Sequence, residues 1–384
     1  MRFEFATATR IIFGEGTIQE AGQIAAEFGS CSFVITGRTN DRARVVVEQL
    51  KNHNIKYEIF NVTTEPTTTM VKQAVEKARG AKSDLVIGIG GGSAMDTGKA
   101  VAAMLTNTGG LEDYLEVVGQ GKQLTDVGAP YIAIPTTAGT GAEVTRNSVI
   151  SACEHKVKVS MRSPFMLPKV ALVDPALTYS MPPEVTASTG LDALTQLMEV
   201  YVSNKANPLT DGICAEGLKR AGRSLLKAYQ EPNNSSARED MALASLFGGL
   251  ALANAKLGAV HGFAGPLGGM IDAPHGVICA SLLPFVFETN IKALQTRKPN
   301  SASLARFDEV SRLLTGNDLA KADDGQKWLK ELCKELTVQP LSKFGLKEKN
   351  FALALAKAGK SSSMKGNPIT LTEDELKYIL FESL

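Results

Sequence analysis

Short, wholly apolar runs separated by amphipathic stretches mark the first half of the chain. Ser32 to Thr36 (SFVIT), Leu85 to Ile89 (LVIGI), Tyr131 to Ile134 (YIAI) and Val170 to Val173 (VALV) read as buried strands. Arg10 to Phe13 and Lys56 to Phe60 (KYEIF) read as two further strands, and Phe3 to Phe5 as a short alternating one. Between them, a turn at Gly14-Glu15-Gly16 leads into a helix from about Thr17, and helical periods cover Arg42 to His53, Thr68 to Arg79 and Ser93 to Leu105. Fully apolar, β-branched strands alternating with helices predict a mostly parallel sheet covered on both faces.

After Asp174-Pro175 the strand pattern stops. Helical periods follow at Ala187 to Val202, Leu209 to Gln230, Ser236 to Leu257, Val277 to Thr289, Ala302 to Leu314, Gly325 to Leu336 and Glu373 to Glu382. The fold class is therefore α/β plus all-α. A Rossmann-like α/β domain with a mostly parallel sheet spans residues 1–180, and an all-helical domain spans residues 181–384. Two domains also fit the length of 384 residues, which exceeds what one hydrophobic core usually serves. Ligands favour domain interfaces and the carboxyl ends of parallel strands, so a cleft between the two is the expected site.

Charge narrows the function classes. Forty-one Lys and Arg against forty Asp and Glu leave a net charge of +1. No basic field is present to hold nucleic acid, and no polybasic run to hold a membrane. No apolar run reaches the ~18 residues of a spanning helix, and the first ten residues lack the apolar core of a signal peptide, so a cytoplasmic setting is expected. Cys31, Cys153, Cys214, Cys279 and Cys333 show no CxxC spacing, which makes each a small buried apolar residue in this reading.

Two loops carry candidate chemistry. The strand at Leu85 to Ile89 runs into Gly88-Ile89-Gly90-Gly91-Gly92-Ser93, followed by Asp96 and Lys99. Glycines at a strand-to-helix turn bring backbone N–H groups close to a pyrophosphate, and the helix N-terminus adds partial positive charge. Ser93 is expected to cap the helix and to donate to phosphate. The next strand ends in Pro135-Thr136-Thr137-Ala138-Gly139-Thr140-Gly141, where Thr136, Thr137 and Thr140 suit hydrogen bonding to a cofactor's ribose or nicotinamide end.

Two of the four histidines, His261 and His275, lie in the polar-poor stretch LGAVHGFAGPLGGMIDAPHG. On one continuous helix they would stand roughly 21 Å apart. Pro266, Gly268, Gly269 and Pro274 argue against such a helix. The reading is that one helix ends near His261, a loop follows, and a new helix starts at His275. Both imidazoles then reach one point.

GGGSAMDTGK, PTTAGTGAEVT, VDPALT, TGLDALTQLMEVY and LGAVHGFAGPLGG with its later PHG, in this order, resemble the iron-containing alcohol dehydrogenase family, relatives of glycerol dehydrogenase and dehydroquinate synthase. The resemblance covers nearly the whole chain. It implies an NAD(P)-dependent alcohol dehydrogenase or aldehyde reductase that transfers hydride between a small alcohol and nicotinamide. A catalytic metal, Fe²⁺ or Zn²⁺, and a homodimer are also implied.

The family's metal-binding aspartate matches Asp192, and its last two histidines match His261 and His275. The family's first histidine falls on Gln196, which offers only a neutral amide oxygen, and a further common histidine falls on Gly265. Two expectations follow. In the favoured one, Asp192, His261 and His275 hold the ion with Gln196 as a weak fourth ligand. In the other, the metal is lost and His261 or His275 donates the proton. The resemblance also gives Gly90 to Ser93, including Gly91 and Gly92, to the pyrophosphate, gives Asp96 and Lys99 a cofactor or bracing role, and places Lys158 near the cofactor. Where NAD-preferring members carry an aspartate, this chain has Gly37, flanked by Arg38, Thr39 and Asn40, so NADP is favoured over NAD. Alternatives on the same scaffold are a maleylacetate-reductase-like or hydroxyacid-oxoacid enzyme and a non-catalytic nucleotide-binding relative.

Overall fold

A computed structural model of the protein describes residues 2–155 and 157–384. It divides into two compact units. One comprises Ala6–Thr137 and Gly141–Tyr179, and the other Ser180–Leu384 with Ala138–Thr140 and the residues before Ala6.

The first unit alternates strand and helix: β1 (Arg10–Phe13), α1 (Ala21–Ala26), β2 (Cys31–Thr36), α2 (Arg44–Asn52), β3 (Lys56–Asn61), α3 (Thr68–Gly80), β4 (Leu85–Gly90), α4 (Gly92–Thr106), α5 (Leu111–Tyr114), β5 (Tyr131–Pro135), β6 (Asn147–Ala152), β7 (Val157–Arg162) and β8 (Val170–Val173). Six of these strands form one sheet in the order β1-β8-β5-β4-β2-β3, with every pairing parallel. Period-2 alternation feeds two cores. Phe33, Ile35, Val86 and Ala133 pack on one face, and Val34, Leu85, Ile87, Ile89, Ile132 and Ile134 on the other.

The strand order reverses between β2 and β4, where an open α/β sheet holds ligands beyond the carboxyl ends of its strands. Register brings those ends level: Thr36 pairs with Ile89, and Gly90 with Pro135.

Three differences from the pattern reading concern this unit. Phe3–Phe5 forms no strand, because the β1 ladder begins only with Thr9 and Arg10, whose amides donate to Pro168 and Lys169. An antiparallel hairpin, β6–β7, lies outside the main sheet. β7 is polar at alternate positions, β6 carries polar Asn147, Ser148 and Ser151, and neither has the apolar run that marks the others. The third difference is at Ser93. Helix α4 starts at Gly92 with extended Gly91 as its N-cap and no side-chain cap, so Ser93 sits inside the first turn and does not cap.

The second unit is helical among its described residues: α6 (Pro183–Val202), α7 (Pro208–Gln230), α8 (Ser235–Asn254), α9 (Ala259–Gly268), α10 (His275–Arg297), α11 (Ala302–Thr315), α12 (Ala322–Glu335), α13 (Phe351–Ala358) and α14 (Glu373–Glu382). Asn207 accepts from the Leu209 and Thr210 amides ahead of Pro208, which stops and restarts the chain between α6 and α7. Helix α10 is long and apolar enough to be compared with a spanning helix, but 83% of its apolar window is buried, as befits a core helix.

His261 lies elsewhere than the sequence reading put it. Helix α8 stops at Asn254, and α9 begins at Ala259 with the two helices bent by 94°. His261 therefore stands in the first turn of a helix and not near the end of one. The cause is a cap supplied by distant side chains, one from α6 and one from the segment before α14. Glu199 accepts the Val260 amide at 2.6 Å, and Asn367 accepts the Ala259 amide at 3.1 Å. His275 opens α10 as expected.

Candidate metal centre and cofactor loops

Helix α6 presents Asp192, Gln196 and Glu199 on one face through spacings of four and three residues, and all three are buried. A buried polar stripe of this kind requires partners. Helices α9 and α10 supply them.

Close packing of α10 on α6 sets the geometry. A Cβ placed on Gly276 would lie 2.4 Å from the Ser188 carbonyl oxygen, so only glycine lets the start of α10 approach α6 this closely. Asp192 is one turn further along α6. His261 Nε2 stands 3.2 Å and His275 Nε2 3.7 Å from Asp192 Oδ1. Sequence reasoning missed the fourth member, Cys279, one turn after His275 on α10. Its Sγ is 3.6 Å from His275 Nε2 and 3.9 Å from His261 Nε2. One donor atom from each of the four residues lies within 4.8 Å of the others. The signal was the i,i+4 pair His275/Cys279, passed over because a lone cysteine reads as apolar filler.

Glu199 fixes the His261 ring. Its Oε2 lies 2.7 Å from His261 Nδ1, so the ring proton is assigned to Nδ1, donating to Glu199. Nε2 is then the ring nitrogen left facing Asp192 and Cys279. The charges reinforce one another. Burial alone would raise Asp192, yet its carboxyl is held below the usual range by the facing His275 and His261. Burial likewise opposes a charge on His261, but Cys279, Asp192 and Glu199 together lift it well above an ordinary imidazole. Cys279 is the main cause of the upward shift of His275, followed by Asp192 against the effect of burial. His275, at 37% side-chain exposure, is the cluster member open to solvent.

This donor set fits a divalent ion. Tetrahedral zinc with bonds of ~2.0–2.3 Å places its ligand atoms about 3.3–3.6 Å apart, and the four separations above bracket that range. Gln196 is placed differently from the expectation of a weak fourth ligand. Its Nε2 donates to Asp192 Oδ2 at 3.3 Å, while its Oε1 is buried without a hydrogen-bond partner. That oxygen faces Gly248, 2.9 Å from where a Cβ there would stand. Gly265 would direct any side chain into open space.

In the first unit, the turns after β2, β4 and β5 meet. A Cβ on Gly90 would come within 2.7 Å of Ala94 and 3.7 Å of the Gly37 nitrogen. The Thr136 amide donates to the Gly90 carbonyl at 2.9 Å, and the Arg42 guanidinium donates to Thr136 Oγ1 at 2.7 Å. Arg42 was not anticipated, because it lies in the turn before α2, where no periodic pattern reports which way a side chain points. Asn61 holds the turn after β2 by donating to the Gly37 carbonyl at 3.1 Å and to Asn40 Oδ1 at 2.7 Å. Arg38 and Thr39 are exposed beside it. Thr136 and Thr137 group with the sheet unit, and Thr140 with the helical one.

Asp96 and Lys99 have a bracing geometry. Lys99 Nζ is buried, 3.2 Å from Asp96, and donates to Thr145 at 2.8 Å. Burial, the strongest influence on Lys99, pulls its pKa down against the attraction of Asp96 and Glu143. Burial pushes the neighbouring Glu143 carboxyl up to about 7, with Lys99 opposing. Lys158 Nζ is held by Glu65 at 2.7 Å.

The profile of "Iron-containing alcohol dehydrogenase" matches residues 8–175, and that of "Fe-containing alcohol dehydrogenase family, C-terminal" matches residues 186–384. Alcohol dehydrogenase 4 of Saccharomyces cerevisiae is 33% identical over 381 residues, covering 96% of this chain and 95% of the yeast protein. The crystal structure of a 1,3-propanediol oxidoreductase superposes with a TM-score of 0.92 at 32% identity, covering 100% of both chains. A sulfoacetaldehyde reductase from Bifidobacterium kashiwanohense, solved in complex with NAD⁺, gives a TM-score of 0.86 at 30% identity, covering 99% of this chain and 98% of that one.

Proposed function

We propose that this chain, which belongs to the iron-containing alcohol dehydrogenase family, interconverts a small alcohol and its carbonyl compound by hydride exchange with a nicotinamide dinucleotide. One observation carries the reading: Asp192 Oδ1, His261 Nε2 and His275 Nε2 converge within hydrogen-bond or near hydrogen-bond distance although they come from three different helices.

In this reading Asp192, His261 and His275 hold a divalent ion. When bound, such an ion supplies a Lewis acid that polarises the substrate C–O bond. Glu199 keeps His261 in the tautomer that presents Nε2. The exposed edge of His275 marks the side from which substrate enters. The uncapped first turn of α4, with Gly90, Gly91, Gly92 and Ser93, binds the pyrophosphate through backbone N–H groups. Thr136 and Thr137 line the path toward the nicotinamide, with Arg42 fixing the Thr136 hydroxyl. Gly37 to Asn40 hold the adenosine ribose and, lacking an acid, accept NADP. Asp96, paired with Lys99, supports the loop from below. The assembly proposed is a homodimer in the cytoplasm.

Metal dependence tests the reading. Chelator-stripped protein is expected to lose NADPH oxidation with a panel of aldehydes and to regain it on addition of Zn²⁺ or Fe²⁺. Equal rates with and without ion would overturn the metal assignment. They would favour the second reading, in which half-exposed His275 delivers the proton itself.

A further inference from the structure

The position that carries the family's first metal-binding histidine holds Gln196 here, and the amide does not offer its oxygen to the cluster. A buried thiol, Cys279, stands against the same donor atoms. We infer that Cys279, as a thiolate, replaces that histidine as the fourth protein ligand and makes this centre an Asp/His/His/Cys site selective for thiophilic ions such as Zn²⁺ and Co²⁺. The inference rests on the reading of Asp192, His261 and His275 as metal ligands.

Three observations carry it. Cys279 Sγ is 3.6 and 3.9 Å from the two imidazole nitrogens, matching the S–N edge of about 3.6 Å in a zinc tetrahedron. Charge is also supplied where it is needed: Asp192 and Cys279 would bring two negative charges into direct contact with a divalent ion at a place where three of the four ligands are buried. Finally, Gln196 completes the arrangement from outside. Its Nε2 donates to Asp192 Oδ2, while Asp192 Oδ1 faces the two histidines. The glutamine orients a ligand and is not one.

The chemistry follows from donor type. Thiolate is a soft ligand that suits zinc and adds to the preference that nitrogen and oxygen donors already give Co²⁺ and Zn²⁺ over Fe²⁺. Binding releases the thiol proton to solvent. Zinc sites expand to five ligands when a further oxygen joins, and half-exposed His275 marks the open side.

The test uses full-length protein stripped with chelator and reloaded with Co²⁺. The wild-type chain is expected to bind one ion and to show an intense near-ultraviolet sulfur-to-cobalt charge-transfer band. Cys279→Ser should lose the band while retaining cobalt and should release Zn²⁺ to a competing chelator roughly tenfold or more easily. Gln196→Ala should keep the band. X-ray absorption on wild-type zinc protein, showing one sulfur in the coordination shell, makes the test independent of whether any variant folds. Stoichiometric cobalt without the band, or a band that survives Cys279→Ser, would overturn the thiolate ligand and leave the metal centre standing. Failure of the wild-type chain to bind any ion would overturn both.

Discussion

Glu199 serves His261 twice: its carboxylate accepts the Nδ1 proton of the ring at 2.7 Å and caps the helix that carries the residue, taking the preceding Val260 amide at 2.6 Å. One buried side chain on α6 thus fixes both where α9 begins and which imidazole nitrogen faces Asp192.

Removing that carboxylate should damage both the centre and the fold. Glu199→Ala is expected to weaken zinc binding about 10–100-fold, because the ring loses its orientation. It should also cost roughly 1–3 kcal/mol through the unpaired Val260 amide. Glu199→Gln, which keeps an acceptor of the same shape, should fall between the two. Chelator competition and denaturant unfolding measure the two effects separately. Unchanged zinc affinity in Glu199→Ala would refute the orienting role.

Glu143 should make stability depend on pH. Its carboxyl is pushed up to about 7 by burial, against an unfolded value near 4.5. The folded chain therefore keeps a proton that the unfolded chain has lost. This stability is fully present below pH ~4.5 and is lost as pH rises through about 7. Glu143→Gln cannot ionise, so its stability relative to wild type should improve between pH 5 and pH 8, by an amount on the order of 1–3 kcal/mol. Urea unfolding at the two pH values checks this, and a pH-independent difference would exclude Glu143 as the titrating group.

Cofactor choice should respond to a single carboxylate. A Cβ on Gly37 meets nothing within 4 Å, so Gly37→Asp has room to accept from ribose hydroxyls and to repel a 2′-phosphate. Wild type is expected to prefer NADPH, and the variant's kcat/KM ratio should shift at least about tenfold toward NADH. A wild-type preference for NADH would remove the premise.

Much of this was legible in the residues because the signals are local. Apolar runs at Phe33–Ile35, Leu85–Ile89 and Ile132–Ile134 mark strands buried on both faces, and the Gly/Pro-rich stretch before His275 brings two histidines together. What escaped depends on distant partners. The start of α9 is set by Glu199, 61 residues from Val260, and no local pattern reports that cap. The β6–β7 hairpin is held by its own pairing and by a bridge from Ser151 to Thr67, not by an apolar run. Cys279 looked like filler until α10 and α6 were packed. Its polar role is visible only as a triangle with His261 and His275.

The arrangement of donors along the chain bears on how the centre is assembled. His261, His275 and Cys279 all fall within the stretch 261–279, so an unfolded or newly made chain already offers a short, flexible chelate whose loop-closure cost is small. Asp192, 69 residues before His261, is the one donor that only folding delivers. An ion captured early would bind the denatured ensemble as well as the native one. The stabilisation gained on loading is then smaller than the native affinity alone would give, and docking of α6 becomes the event that turns a loose chelate into a closed centre.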